Sequence, residues 1–106
     1  MNPLEYYLEV NIVKIKSVAK AGTLESNDIL IMVMPNENRG IDIHIESIVM
    51  KQFGNQIKKV ITDKLKDMQE EDIIIKAQDK GALDFTKAAR VETAVERGLE
   101  NWKLRV

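Results

Sequence analysis

Ile29-Leu30-Ile31-Met32-Val33-Met34-Pro35-Asn36-Glu37-Asn38-Arg39-Gly40-Ile41-Asp42-Ile43-His44-Ile45-Glu46 changes its periodicity in the middle, and the change sets the fold class. Residues 29–34 are all apolar, and their length and β-branched content fit a strand buried on both faces, or nearly so. Pro35 cannot donate to a ladder, so the strand ends there. Residues 36–40 are turn material, and residues 41–46 then alternate strictly, with Ile41, Ile43 and Ile45 on one face. The two segments predict an antiparallel hairpin.

The chain beyond Glu46 reads as helix, strand, helix. Ser47 is a candidate N-cap, and Val49/Met50, Phe53, Ile57, Val60/Ile61, Leu65 and Met68 recur at helical spacing. Lys51, Lys58, Lys59 and Lys66 take the solvated face. Gly54 inside this helix costs about 1 kcal/mol relative to alanine, which suggests close approach of a neighbouring element. Asp72–Ala77 is a short strand, expected parallel to 41–46 through a right-handed crossover. Residues 78–81 make a turn. A second helix begins between Ala82 and Phe85, with Asp84 a possible cap. Its stripe is Phe85, Ala88, Val91, Val95, Leu99 and Trp102, and Gly98 frays or ends it.

Upstream, Val13–Lys16 alternates as a short strand, with lysines 14, 16 and 20 in water. Residues 1–12 precede this as an added arm, unstructured or an extra edge strand, leaving 13–106 as one domain. The fold class is α+β: a two-layer sandwich with a three- to four-stranded mixed sheet and two helices on one face, in the order β-β-β-α-β-α.

Composition narrows the function. The 106 residues carry 16 basic and 17 acidic side chains, a net charge of −1 that argues against a dedicated nucleic-acid binder. With no cysteine there is no disulfide, thiolate metal site or thiol nucleophile, and a reducing compartment is the natural setting. No apolar run approaches membrane-spanning length and no signal peptide is visible, so the cytoplasm is expected. Asp42, His44 and Glu46 share a strand face, but same-face neighbours stand about 7 Å apart, too far for all three to reach one ion. His44 is the only histidine and has no visible triad company. The chain shows no active site of its own. It does offer a loop, residues 21–28, in which Gly22 permits unusual backbone angles and Ser-Asn-Asp favours a turn, handing the Ser26 hydroxyl to solvent.

Four segments resemble the citrate lyase acyl carrier proteins: Ala21-Gly22-Thr23-Leu24-Glu25-Ser26, Lys51-Gln52-Phe53-Gly54, Asp79-Lys80-Gly81-Ala82-Leu83-Asp84 and Ala89-Arg90-Val91-Glu92. The resemblance spans Val13 to Gly98. It implies a non-catalytic carrier whose Ser26 bears 2'-(5''-phosphoribosyl)-3'-dephospho-CoA through a phosphodiester. That arm would carry acetyl and citryl thioesters between an alpha subunit (acyl transferase) and a beta subunit (citryl lyase) while citrate is cleaved to oxaloacetate and acetate. The partners implied are those subunits and the prosthetic-group transferase, with Gly22 and Glu25 contributing to recognition of the loop. The alternatives are the related carrier of malonate decarboxylase and a cofactor-free α+β interaction module.

Overall fold

Ile29, Ile31 and Val33 are fully buried, whereas Leu30, Met32 and Met34 between them are only half-buried. Strand β2 (Ile29–Pro35) therefore buries one face rather than both. The structure is a computed structural model that describes residues 15–103, with side chains as far as Leu99. The expected arm (residues 1–12), Val13, Lys14 and the Trp102 side chain lie outside it. The remaining elements are β1 (Ala19–Gly22), β3 (Ile41–Ser47), α1 (Met50–Asp67), β4 (Ile73–Asp79) and α2 (Asp84–Lys103). The order β-β-β-α-β-α and the mixed four-stranded sheet are as expected. No helix among the described residues is long and apolar enough to cross a membrane.

The hairpin is not. The sheet order is β1-β2-β4-β3, so β4 lies between the two segments that were expected to pair. It runs antiparallel to β2 and parallel to β3, with Ile73 opposite Pro35 on one side and Ile41 on the other. The two segments keep opposed directions but stand two strand spacings apart, and Asp72 spans the gap: its carbonyl accepts the Asn36 N–H and its carboxyl the Gly40 N–H. Burial explains the choice. Ile73 and Ile75 are 0% exposed and gain ladder partners on both edges in the centre, while β3, with Asp42, His44 and Glu46 outward and Ile41 exposed, suits an edge.

Ile15 and Lys16, the described half of the expected strand Val13–Lys16, carry no strand, and β1 is formed by the small residues Ala19–Gly22, paired antiparallel with Leu30–Val33. Ala19 and Ala21 face the helices and Lys20 faces water. Small side chains let α2 approach this strand closely. Ile57, Ile61 and Leu65 of α1 and Val91, Ala94 and Val95 of α2 cover the same face of the sheet. Each fully buried Ile, Leu or Val stabilises by about 1.5–3 kcal/mol, which makes this layer the main cohesive term.

Several helix expectations change. Ser47 ends β3, and the N-cap position is Val49, without a side-chain bond. The Ser47 hydroxyl instead accepts the Val49 N–H (3.1 Å) and donates to Asp79 Oδ2 (2.8 Å), because only two residues separate strand from helix. Asp79, expected in a turn, is buried at the end of β4, and its Oδ1 accepts the Gly81 and Ala82 N–H groups (3.2 and 3.0 Å). Phe53 and Phe85 are 51% and 73% exposed, not core. Gly98 neither frays nor ends α2, which continues to Lys103. A Cβ there would stand 2.9 Å from Ile15 Cδ1 and 3.1 Å from the Ser17 carbonyl, so the glycine lets the helix close on the segment leading into β1.

Gly54 has no such neighbour. The atoms nearest a Cβ belong to Met50 one turn earlier (Cε 3.0 Å, Sδ 3.1 Å), the mobile tip of a residue that is 45% exposed. Gly54→Ala is therefore expected to stabilise the protein by about 0.5–1 kcal/mol, read as a rise of a few degrees in Tm. A fall in Tm would show that Met50 cannot move aside.

Candidate functional site

Gly22 closes β1 and Ile29 opens β2, so the connecting loop is Thr23–Asp28 rather than 21–28. The Asp28 N–H donates to the Glu25 carbonyl (3.2 Å), which places Ser26 and Asn27 at the corners of a turn. Asn27 has φ 67°, a left-handed angle that asparagine tolerates better than most residues. The far foot of the turn extends the β2–β4 ladder: Asn27 N–H donates to the Lys80 carbonyl and Lys80 N–H to the Asp28 carbonyl, both at 2.9 Å.

Side chains hold the other foot. Thr23 Oγ1 donates to Asp28 Oδ2 (2.8 Å) and accepts the Glu25 N–H (3.2 Å). Asp28 Oδ1 accepts the Ile29 N–H (2.8 Å). From α2, Arg90 Nε donates to Asp28 Oδ1 (3.1 Å) and Nη2 to Oδ2 (3.3 Å), a two-pronged ion pair. Burial works against ionisation of Asp28. The hydrogen bonds from Arg90, Ile29 N–H and Thr23, together with the Arg90 charge, outweigh it and lower the carboxyl to about 2.

Ser26 is exposed, and among the described residues its hydroxyl has no hydrogen-bond partner. It differs in this from Thr23, the loop's other hydroxyl, which is engaged twice. Among the described residues no acid or base hydrogen-bonds to Ser26, so none of them activates it as a nucleophile. The turn presents an exposed, unengaged hydroxyl, which is chemically open to esterification.

Gly22 has a structural reason to be glycine, with φ 91° and the Ile29 carbonyl lying where a Cβ would go. The Glu25 side chain is exposed, and its carboxyl has no partner among the described residues. On the open face of the sheet, Asp42 Oδ2 pairs with His44 Nε2 (3.0 Å), while Glu46 Oε2 accepts from Gln78 (3.4 Å), so the three do not converge. Sequence reasoning missed the Asp28–Arg90 pair. Both residues stood in or beside recognised segments, but their separation of 62 positions left no local signal.

Residues 16–98 match the family model described as malonate decarboxylase delta subunit (MdcD). The chain is 51% identical over 84 residues to the citrate lyase acyl carrier protein of Halothermothrix orenii, covering 79% of this chain and 88% of that one. It is 53% identical over 87 residues to the citrate lyase acyl carrier protein of Lactiplantibacillus plantarum, with coverage of 82% and 90%. In fold it resembles a chain of a Pseudomonas malonate decarboxylase hetero-tetramer crystallised with malonate, with a TM-score of 0.64 at 19% identity, covering 78% and 84%.

Proposed function

The chain belongs to the citrate lyase acyl carrier protein family, and from that premise we propose that it is the acyl carrier subunit of a citrate lyase complex, with Ser26 its attachment residue. The observation that carries the reading is that Ser26 holds the only unengaged hydroxyl on the Thr23–Asp28 loop. The group proposed there is phosphoribosyl-dephospho-CoA, joined through a phosphodiester. When bound, it supplies a terminal thiol on a long flexible arm, on which acetyl and citryl groups are held as thioesters.

The chain's own residues do the rest. With Asn27 and Asp28 tied to Lys80 just past β4, and Asp28 also to Arg90 of α2 and to Thr23, the loop is a fixed post, and reach comes from the arm. Tethering makes each transfer effectively intramolecular, at millimolar local concentration for a short flexible link. The absence of cysteine leaves no side-chain thiol on this chain to take an acyl group from the arm. The proposed partners are the alpha (acyl transferase) and beta (citryl lyase) subunits and the prosthetic-group transferase.

The test is intact mass of the protein made together with the attaching enzymes. A gain of one group is expected, mapped by fragmentation of tryptic peptide 21–39 to Ser26 rather than Thr23. No gain under any such condition leaves a cofactor-free module. Glu25 is proposed to be read by the transferase, since its negative charge would otherwise only repel the phosphodiester. Glu25→Ala is expected to be modified several-fold more slowly, and an unchanged initial rate removes Glu25 from that role.

A further inference from the structure

We infer that Arg90 is a positioning residue for arm attachment: from α2 it holds the Ser26 turn in the one conformation that offers the hydroxyl to the transferase. The inference rests on the Ser26 reading above and adds a residue from the far end of the chain. Attachment turns the Ser26 O–H into an O–P bond. It breaks a phosphoanhydride bond of an activated donor, whose leaving phosphate takes the electron pair, and it releases the hydroxyl proton. Such a displacement needs the oxygen at a set place and angle, and among the described residues the Ser26 hydroxyl has no hydrogen bond of its own to set them.

The setting comes through a chain of bonds behind it. Arg90 donates to both oxygens of Asp28, Thr23 donates to one of them, and the Glu25 N–H donates to Thr23. None of these bonds involves Ser26, which stays exposed. Within the Thr23–Asp28 side-chain network, Arg90 is the one member supplied by a helix. The arginine stem also lies against the backbone of Gly22, with Cδ 3.3 Å from where a Cβ would stand, so the strut passes beneath the point where the loop leaves β1. The backbone bonds to Lys80 fix Asn27 and Asp28, and the Asp28 N–H to Glu25 carbonyl bond closes the turn, but the stretch from Thr23 into Glu25 is held by the side-chain network. Without Arg90 the turn should sample other conformations, and apparent affinity for the transferase falls with the competent fraction.

The experiment follows initial rates of modification by intact mass, using apo full-length protein, the transferase and the activated donor. Arg90→Gln keeps most of the stem and removes the two-pronged charge. It is expected to raise KM for the carrier about tenfold, with kcat changed less than about twofold. Arg90→Lys, which keeps the charge and one donor, should recover part of the loss. Asp28→Asn should reproduce the effect from the loop side, and it keeps the test open if Arg90→Gln folds poorly. Wild-type KM in a folded Arg90→Gln overturns the inference, even if Tm falls, because the pair would then only stabilise the fold. A kcat loss without a KM change also overturns it. Wild-type protein that gains no group at Ser26 sinks the attachment reading itself, and that outcome is recognisable without any variant.

Discussion

Ser26→Ala made with the attaching enzymes is expected to retain the unmodified mass completely, while its Tm and urea midpoint stay at wild-type values. Both halves come from the same geometry. In the proposed function the phosphodiester is built on the Ser26 oxygen, and the loop's other hydroxyl is already bonded to Asp28 and Glu25, so no second acceptor would replace it. The same oxygen makes no hydrogen bond among the described residues, and Ser26 occupies an exposed turn corner, so losing it should change stability by no more than about 0.5 kcal/mol. Few substitutions combine total loss of modification with an intact domain. Intact mass reads one half and a melting curve the other. Residual modification in Ser26→Ala would move the attachment point to another hydroxyl, and a drop of several degrees in Tm would mean that the turn depends on Ser26 in a way its contacts do not reveal.

What the sequence made legible, and what it hid, separates along lines of local against distant information. Strict alternation over Ile41–Glu46 and the apolar run Ile29–Met34 identify strands because side-chain direction is a property of the strand itself. Which strands are neighbours is not local, and the hairpin expectation failed because β4 is more buried than β3 and took the central place. β1 was invisible since Ala-Lys-Ala-Gly has little strand preference and is selected by the close approach of α2. Phe85 was misplaced by stepping back from Val91 in threes: two such steps fall about 120° short of two full turns, off the buried face. Phe53 lies on the correct face but in the first turn of α1, where it lines a groove beside Ala82 and Leu83 instead of the sheet. The exposed Ser26 was legible from turn chemistry and from the family resemblance. The Arg90–Asp28 strut was not, because two residues 62 apart leave no mark on either local pattern.

Gly22→Ala is expected to be the most destabilising single-methyl change in the loop region, lowering stability by more than about 3 kcal/mol. Two separate costs add. Gly22 has φ 91°, where any Cβ is strained. Its Cβ would also stand 1.8 Å from the Ile29 carbonyl oxygen and 3.0 Å from its carbon, distances that no rotamer can relieve because both atoms are backbone. Moving the chain apart would break the end of the β1–β2 ladder, where Gly22 sits opposite Leu30, and would push on Arg90. Gly40→Ala supplies the control, with φ 90° but nothing within 4 Å of the added carbon. It should show the conformational cost alone, about 1 kcal/mol. In urea the Gly22 variant should then unfold at least about 1 M earlier than the Gly40 variant, for a slope typical of small domains. Equal midpoints would mean that the Ile29 carbonyl can turn away cheaply. The contrast also decides how a modification defect at Gly22 is to be understood. If the variant is unmodified only under conditions where it is unfolded, the glycine serves the fold of the loop; if it is unmodified while folded, the transferase reads that position directly.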